Sequence, residues 1–241
     1  MRPSMTAVDV GSEQVRELRE KITLGSRILA HLGIVDYLGH ISARIPGSSR
    51  VLIRARGAEQ GDQRRMTPAD IALVDLDAKQ IDGPRCPDET AMHTEIYKVR
   101  PDVMAIAHTH QPIATIFGDL GRPILPMQGL GANLCSPDIP IYPSARKITT
   151  AEQGADVARM LGEHPFLHLR NHGLTFVGAG VEQVVLSAIW IEHQAKITMW
   201  ASTIGTPRGM DPDEAQIKAK ERFGDDARWR YYVSLLDDAQ K

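Results

Sequence analysis

The sequence predicts an α/β domain, and three observations predict it. Its 241 residues are a normal length for one domain with a sizeable core, and 42% hydrophobic with 24% charged residues is ordinary globular composition. Short apolar runs of strand length recur along the chain, as at Val51-Leu52-Ile53, Val103 to Ala107 and Phe166 to Leu169. Between them lie longer helical segments, Glu13 to Leu32 with apolar residues at helical spacing and Val181 to about Thr203 following the turn Gly178-Ala179-Gly180. One domain over 1–241 is expected, with a core of about 13–203 and a C-terminal tail of 204–241.

Taken in order, Val15, Leu18, Ile22, Leu29 and Leu32 fall at helical spacing and Gly33 follows as a stop, which predicts an amphipathic helix. Asp36 to Arg44 and Val51 to Ile53 flank the turn signal Pro46-Gly47-Ser48-Ser49 and read as a hairpin. Thr67-Pro68-Ala69-Asp70 combines a capping residue, a proline and an acid, the marks of one helical turn. Ile71 to Leu76 reads as a strand, with Asp77-Ala78-Lys79 as its turn. Asp88 is the expected N-cap of a helix to Arg100, ended by Pro101, with Glu89 in the first turn and His93 one turn later on the same face. Pro112 opens a short helix to Phe117, and a Pro- and Gly-rich loop follows from Gly121 to Pro143. Thr150-Ala151-Glu152-Gln153 is a capping box ahead of a helix to about Leu161. Phe166 to Leu169 and Leu174 to Val177 are strands around a corner that holds His172. Gly205 to Asp226 reads as a loose connection, and 227–236 as a terminal helix docked by its aromatic residues.

Bulk properties exclude several classes. A net charge of -2 gives no electrostatic reason to expect a nucleic acid or an acidic membrane as partner. The two cysteines, Cys86 and Cys135, have no CxxC spacing, which speaks against a disulfide framework and a thiolate metal site. No apolar run approaches membrane-spanning length and the first residues lack an apolar signal core, so a cytoplasmic location is expected.

The chemistry concentrates in Ala105-Ile106-Ala107-His108-Thr109-His110. Residues two apart on a strand share a face, so His108 and His110 project together. Such a pair serves as ordinary hydrogen-bonding imidazoles or as half a metal site. His172, in Arg170-Asn171-His172-Gly173, is the candidate third ligand, and Glu89 a fourth. Three imidazoles with an open position describe a catalytic rather than a structural divalent site.

Glu89 with His93, the His108/His110 pair, Asn171-His172-Gly173 and the long helix from Val181, in this order, resemble the class II aldolase/adducin family over roughly Glu13 to Thr203. The resemblance implies a three-layer α/β/α sandwich with a central, mostly antiparallel sheet, assembled as a homotetramer with sites at subunit boundaries. It implies one divalent metal per subunit on His108, His110 and His172, and Glu89 as the acid/base carboxylate. Zn, Mn, Co and Fe all accept imidazole. His93 is a candidate second proton donor beside its reading as a buried hydrogen-bonding histidine. Tyr142 is a candidate acting across an interface, and Trp229 or Tyr232 of the tail could cover a neighbour's site.

The sequence departs from the family's sugar-phosphate members. Where they carry Asn, a small hydroxyl/glycine loop and paired serines, this chain has His40 ahead of Ser42, the loop Arg54-Ala55-Arg56-Gly57, and Pro87-Asp88. Losing the serines removes hydroxyl donors, Asp88 would repel a dianion, and Arg54 or Arg56 suits a planar carboxylate. The expected partner is therefore a small-molecule carboxylate, bound by His40, Ser42, Arg54, Arg56 and Asp88. The expected reaction is decarboxylation of a hydroxylated aromatic acid through an enolate, as in the family's dihydroxyphthalate-type members. An aldolase or epimerase acting on a hydroxy-oxo acid or sugar phosphate, and a non-catalytic adducin-like module, are the alternatives.

Overall fold

The computed structural model describes residues 11–56, 61–220 and 225–238. Residues 1–10, read for a leader, Gly57 of the arginine loop and 221–224 of the connection lie outside them.

Helix α1 (Glu13–His31) begins where the Ser12 hydroxyl accepts the Val15 N–H, and its apolar stripe buries Val15, Ile22, Ile28 and Leu29. Strands β1 (His40–Arg44) and β2 (Arg50–Arg54) form the expected hairpin. A turn of 3-10 helix at Pro68–Asp70, closed by the Asp70 carboxylate on the Thr67 N–H, leads into β3 (Ile71–Asp75). Strand β4 (Gln80–Asp82) escaped the sequence reading because all its residues are exposed and carry no apolar alternation.

Then come α2 (Thr90–Val99), β5 (Ala105–Thr109), α3 (Ala114–Leu120), β6 (Ile141–Tyr142), α4 (Ala151–Leu161), β7 (Phe166–Leu169), β8 (Gly173–Gly178) and α5 (Val181–Ile204). The Thr150/Gln153 capping box starts α4 as expected. The segment 205–226 is not merely a connection: it contains α6 (Pro212–Lys220), signalled by Pro212 at the first position and by Asp213 and Glu214 in the first turn. Its apolar anchoring is sparse, Ala215 being buried, so periodicity did not reveal it. Helix α7 (Asp225–Asp238) docks through Trp229, Tyr232, Val233 and Leu236.

Asp88 does not cap α2. The N-cap is Glu89, without a side-chain capping bond, and the Asp88 carboxylate turns instead toward Arg56, Arg85 and Lys147. Glu89 therefore stands at the threshold of the helix rather than in its first turn.

The strands make one sheet in the order β4-β3-β2-β1-β5-β8-β7-β6, antiparallel throughout except for the β6/β7 pair. Alternation sends Leu52, Leu73, Ala105, Ala107 and Phe176 to a core shared with α1, α5 and α7. It sends Val51, Ile53, Val74, Ile106 and Leu167 to a second core under α2 and α4. Both faces are covered, which is the three-layer α/β/α sandwich.

On the first face His168 is packed under Gly118 of α3, where an added Cβ would lie 2.6 Å from the imidazole. Its Nδ1 is buried without a hydrogen-bond partner among the described residues, and burial pushes its pKa from 6.5 down to about 4. Between those values the unfolded chain binds a proton that the folded chain does not, so stability falls as pH drops from 6.5 toward 4. His168→Leu is expected to remove a pH-dependent loss of up to about 3 kcal/mol over that window. Denaturant unfolding at each end checks this; equal acid sensitivity in the variant would contradict it.

Candidate active site

Strand β5 lies between β1 and β8 and pairs antiparallel with both, setting His40 opposite His108 and Thr109 opposite Leu174. His108 faces the α2 side, and His110 follows on the same side, its Nε2 2.9 Å from His108 Nε2. The antiparallel return into β8 brings the β7–β8 corner to the end of β5. His172 stands on that corner, its ring centroid 4.9 Å from His108 and 5.3 Å from His110. Asn171 makes the corner at φ 54, a left-handed conformation that asparagine tolerates, with its N–H bonded to the Asp119 carboxylate. Gly173 is required by closeness: a Cβ there would lie 2.2 Å from the Thr109 carbonyl oxygen and 2.9 Å from the His110 ring.

Glu89 reaches into this cluster from the start of α2. Its Oε2 lies 3.7 Å from His40 Nε2 and 3.8 Å from His108 Nε2, and its Oε1 3.6 Å from His172 Nε2. The Ile148 N–H donates to Oε1 at 3.0 Å. Burial pushes this carboxyl up, but the His40 ring and the neighbouring His108 and His172 outweigh burial and hold it well below the usual carboxylate range. Burial pushes His108 far down, His110 to about 4 and His172 in the same direction, so at neutral pH these imidazoles are uncharged bases.

The donor set fits a divalent cation. His108 Nδ1 lies 3.0 Å from the Leu174 carbonyl oxygen, which can only accept, so the hydrogen sits on Nδ1 and Nε2 presents a lone pair. The ligand atoms of His108, His110 and His172 lie within 4.8 Å of one another, and so do those of His40, Glu89 and His108. Neutral nitrogens crowded beside an ionised carboxylate suit a cation of imidazole and oxygen preference.

The cluster forms the floor of a cavity of about 500 Å³. His40, Glu89, His110 and His172 line it, with Arg54, Arg56, Asp88, Lys147 and Asn171 on its walls. The sequence reading needs correction at Ser42, His93 and Arg54. Ser42 is fully buried behind the floor, hydrogen-bonded to His93 and Tyr97, and does not reach the cavity. His93 is equally buried and bonded to His40 and Ser42, so it acts behind His40 and not as a donor at the substrate. Tyr142 lies on the edge strand β6, packed on the α2/α4 core, and does not line the cavity. Arg54 does line it, but as the register partner of Ile71 its side chain starts on the α1 face, and its Nη1 donates to the Tyr37 and Gly39 carbonyls. Burial lowers its pKa to about 10, which leaves it cationic and structural. Arg56, half-buried, and Lys147, exposed, are both drawn to Asp88, at 3.4 and 3.6 Å. Sequence reasoning missed Lys147, which carries no motif, and Tyr97, whose helical apolar position reads as packing.

These features define a class first: a three-layer α/β/α chain with an imidazole–carboxylate site on the floor of an open cavity. The chain belongs to the Class II Aldolase and Adducin N-terminal domain family, which it matches over residues 20–199. It is 33% identical over 235 residues, 92% of this chain and 94% of the relative, to a 3,4-dihydroxyphthalate decarboxylase of Arthrobacter keyseri. It is 29% identical over 220 residues, 85% and 96% of the two chains, to a 5-methylthioribulose-1-phosphate/5-deoxyribulose-1-phosphate aldolase of Rhodospirillum rubrum. Among solved structures, an L-fuculose 1-phosphate aldolase from Glaciozyma antarctica PI12 superposes with a TM-score of 0.78 at 24% identity, over 98% of this chain and 94% of that one. That likeness is one of fold.

His172→Ala is expected to abolish stoichiometric divalent-metal binding, whereas Glu89→Gln retains it. Elemental analysis of the purified variants checks both; full metal content in His172→Ala would remove that residue from the donor set.

Proposed function

We propose that the protein is a divalent-metal-dependent decarboxylase of a non-phosphorylated hydroxylated aromatic acid of the dihydroxyphthalate or dihydroxybenzoate type. The observation that carries this reading is the division of the cavity. An ionised carboxylate among imidazoles forms its floor, and Arg56 and Lys147, both paired with Asp88, line its wall. The near full-length similarity to a decarboxylase named for a dihydroxylated aromatic diacid supports the substrate class.

A cation of the Zn, Mn, Co or Fe kind on His108, His110 and His172 would supply positive charge to stabilise negative charge developing on adjacent substrate oxygens. The chain's own residues do the rest. Arg56 and Lys147 bind the substrate's carboxylates and release Asp88 from their pairing. Glu89, ionised before substrate enters, accepts the proton of a ring hydroxyl. Glu89 returns that proton to the carboxylate-bearing ring carbon, which leaves the adjacent oxygen as a ketone. The carbon–carboxylate bond then breaks and CO2 leaves. The electron pair of that bond restores the aromatic ring and the phenolate oxygen, and that oxygen regains a proton from water. The walls of the cavity keep the ring in register between the floor and the mouth.

The other reading, an aldolase of a sugar phosphate, draws on the similarity to the Rhodospirillum enzyme. The absence of paired hydroxyls ahead of Glu89, where Pro87-Asp88 stands, weighs against it. Assembly as a cytoplasmic homotetramer belongs to the same proposal; the exposed Leu120, Trp200 and Ile204 supply apolar surface for it. In such an assembly Tyr142 would be offered to a neighbouring cavity.

The test is a turnover screen of the metal-loaded protein. CO2 from a dihydroxyphthalate-type acid is expected, and aldehyde from a sugar phosphate instead would overturn the decarboxylase assignment. Arg56→Ala is expected to raise KM about tenfold with a smaller change in kcat, the size of one charge-assisted hydrogen bond. An unchanged KM would exclude Arg56 from substrate binding.

A further inference from the structure

Behind the cavity floor, buried side chains from β1 and α2 form one hydrogen-bonded row. Tyr97 Oη lies 2.8 Å from Ser42 Oγ, Ser42 Oγ 2.7 Å from His93 Nδ1, and His93 Nε2 2.8 Å from His40 Nδ1. His40 has one nitrogen left, Nε2, which stands 3.7 Å from Glu89 Oε2. Ser42, His93 and Tyr97 are each at most 1% exposed, so solvent cannot substitute for a missing partner.

The Tyr97 end of the row fixes the direction in which its hydrogens run. Burial pushes the Tyr97 phenol up, so it keeps its hydrogen, and Ser42 Oγ is its single hydrogen-bond partner among the described residues. Leaving that hydrogen without an acceptor would cost roughly 1–3 kcal/mol, so Tyr97 donates to Ser42. The one hydrogen of Ser42 then goes to His93 Nδ1. His93, kept neutral by burial, carries its own hydrogen on Nε2 and donates it to His40 Nδ1. His40 consequently accepts at Nδ1 and bears its hydrogen on Nε2. At the far end that hydrogen faces Glu89 Oε2. The reverse direction would orphan the tyrosine hydrogen and turn a His40 lone pair toward the carboxylate.

The direction matters because two sets of donor atoms overlap at His108: one with His110 and His172, the other with His40 and Glu89. A nitrogen that bears a hydrogen has no lone pair for a cation. We propose that the Tyr97–Ser42–His93 row is a tautomer lock on His40. It withholds His40 Nε2 from a divalent cation, leaves the cation to His108, His110 and His172, and keeps His40 Nε2–H as a fixed hydrogen-bond donor to a substrate oxygen. The cation's part in this rests on the metal reading of the site; the tautomer rests on the row alone. His93 and Ser42 are thus positioning residues that link His40, which meets the substrate, to a helix residue, Tyr97, that touches neither the cavity nor the cluster.

The test uses the full-length protein in two measurements. Long-range proton–nitrogen NMR of the imidazoles, with and without Zn²⁺, is expected to place hydrogen on Nε2 of both His40 and His93. In Tyr97→Phe, which keeps the ring and removes the hydroxyl, His40 is expected to shift partly or wholly to hydrogen on Nδ1. X-ray absorption of the Co²⁺-loaded protein is expected to count three imidazoles in the unaltered chain and four in Tyr97→Phe. Ser42→Ala, which breaks the row at a second point, is expected to give four as well and guards against a folding defect in one variant. Hydrogen on His40 Nδ1 in the unaltered protein overturns the lock, as does an unchanged tautomer and imidazole count in both variants. Failure of Co²⁺ to bind the unaltered protein sinks the metal reading instead, while the NMR result still decides the lock.

Discussion

The molecule depends on the pairing of β5 between β1 and β8. That pairing brings His40, His108, His110 and His172 into one cluster, and α2 closes it by delivering Glu89. Burying so many ionisable groups together is costly, and the surrounding structure offsets the cost group by group. Burial keeps His108, His110 and His172 uncharged, the Leu174 carbonyl fixes the His108 tautomer, and the Ile148 N–H holds Glu89 Oε1. The sheet supplies rigidity: both faces are covered, and Gly173 lets β8 approach the end of β5 closely enough for His172 to meet His110.

Charge is then graded through the site. The carboxylate and neutral bases occupy the buried floor, and the cations Arg56 and Lys147 sit nearer solvent. At 3.4–3.6 Å and partly exposed, their pairing with Asp88 is weak. Arg54, on the cavity wall, is held by backbone carbonyls. It ties the Tyr37–Gly39 turn to β2 and so sets the height at which His40 enters the sheet.

Much of this was legible in the sequence because the signals are local. Alternation in Ala105 to His110 places two imidazoles on one side, and the capping box at Thr150, the periodicity of α1 and the Gly178-Ala179-Gly180 turn ahead of α5 mark helices that the structure contains. What was not legible depends on pairings across the chain. The register of β1 against α2 turns Ser42 and His93 inward and recruits Tyr97, and no spacing in the sequence links these three. Asp88 is a good capping residue by type, but three cations compete for it, and the helix begins at Glu89 without it. Arg54 looks like a ligand-binding residue until strand alternation shows which face its side chain leaves from.

The measurement that tests the central claim most directly is anomalous X-ray diffraction from crystals of the protein grown with Zn²⁺ or Co²⁺, recorded at the metal's absorption edge. The account predicts one anomalous peak per chain at roughly 2 Å from the Nε2 atoms of His108, His110 and His172. A peak between His40 and Glu89 instead, or no peak in the cluster at full metal loading, would contradict it.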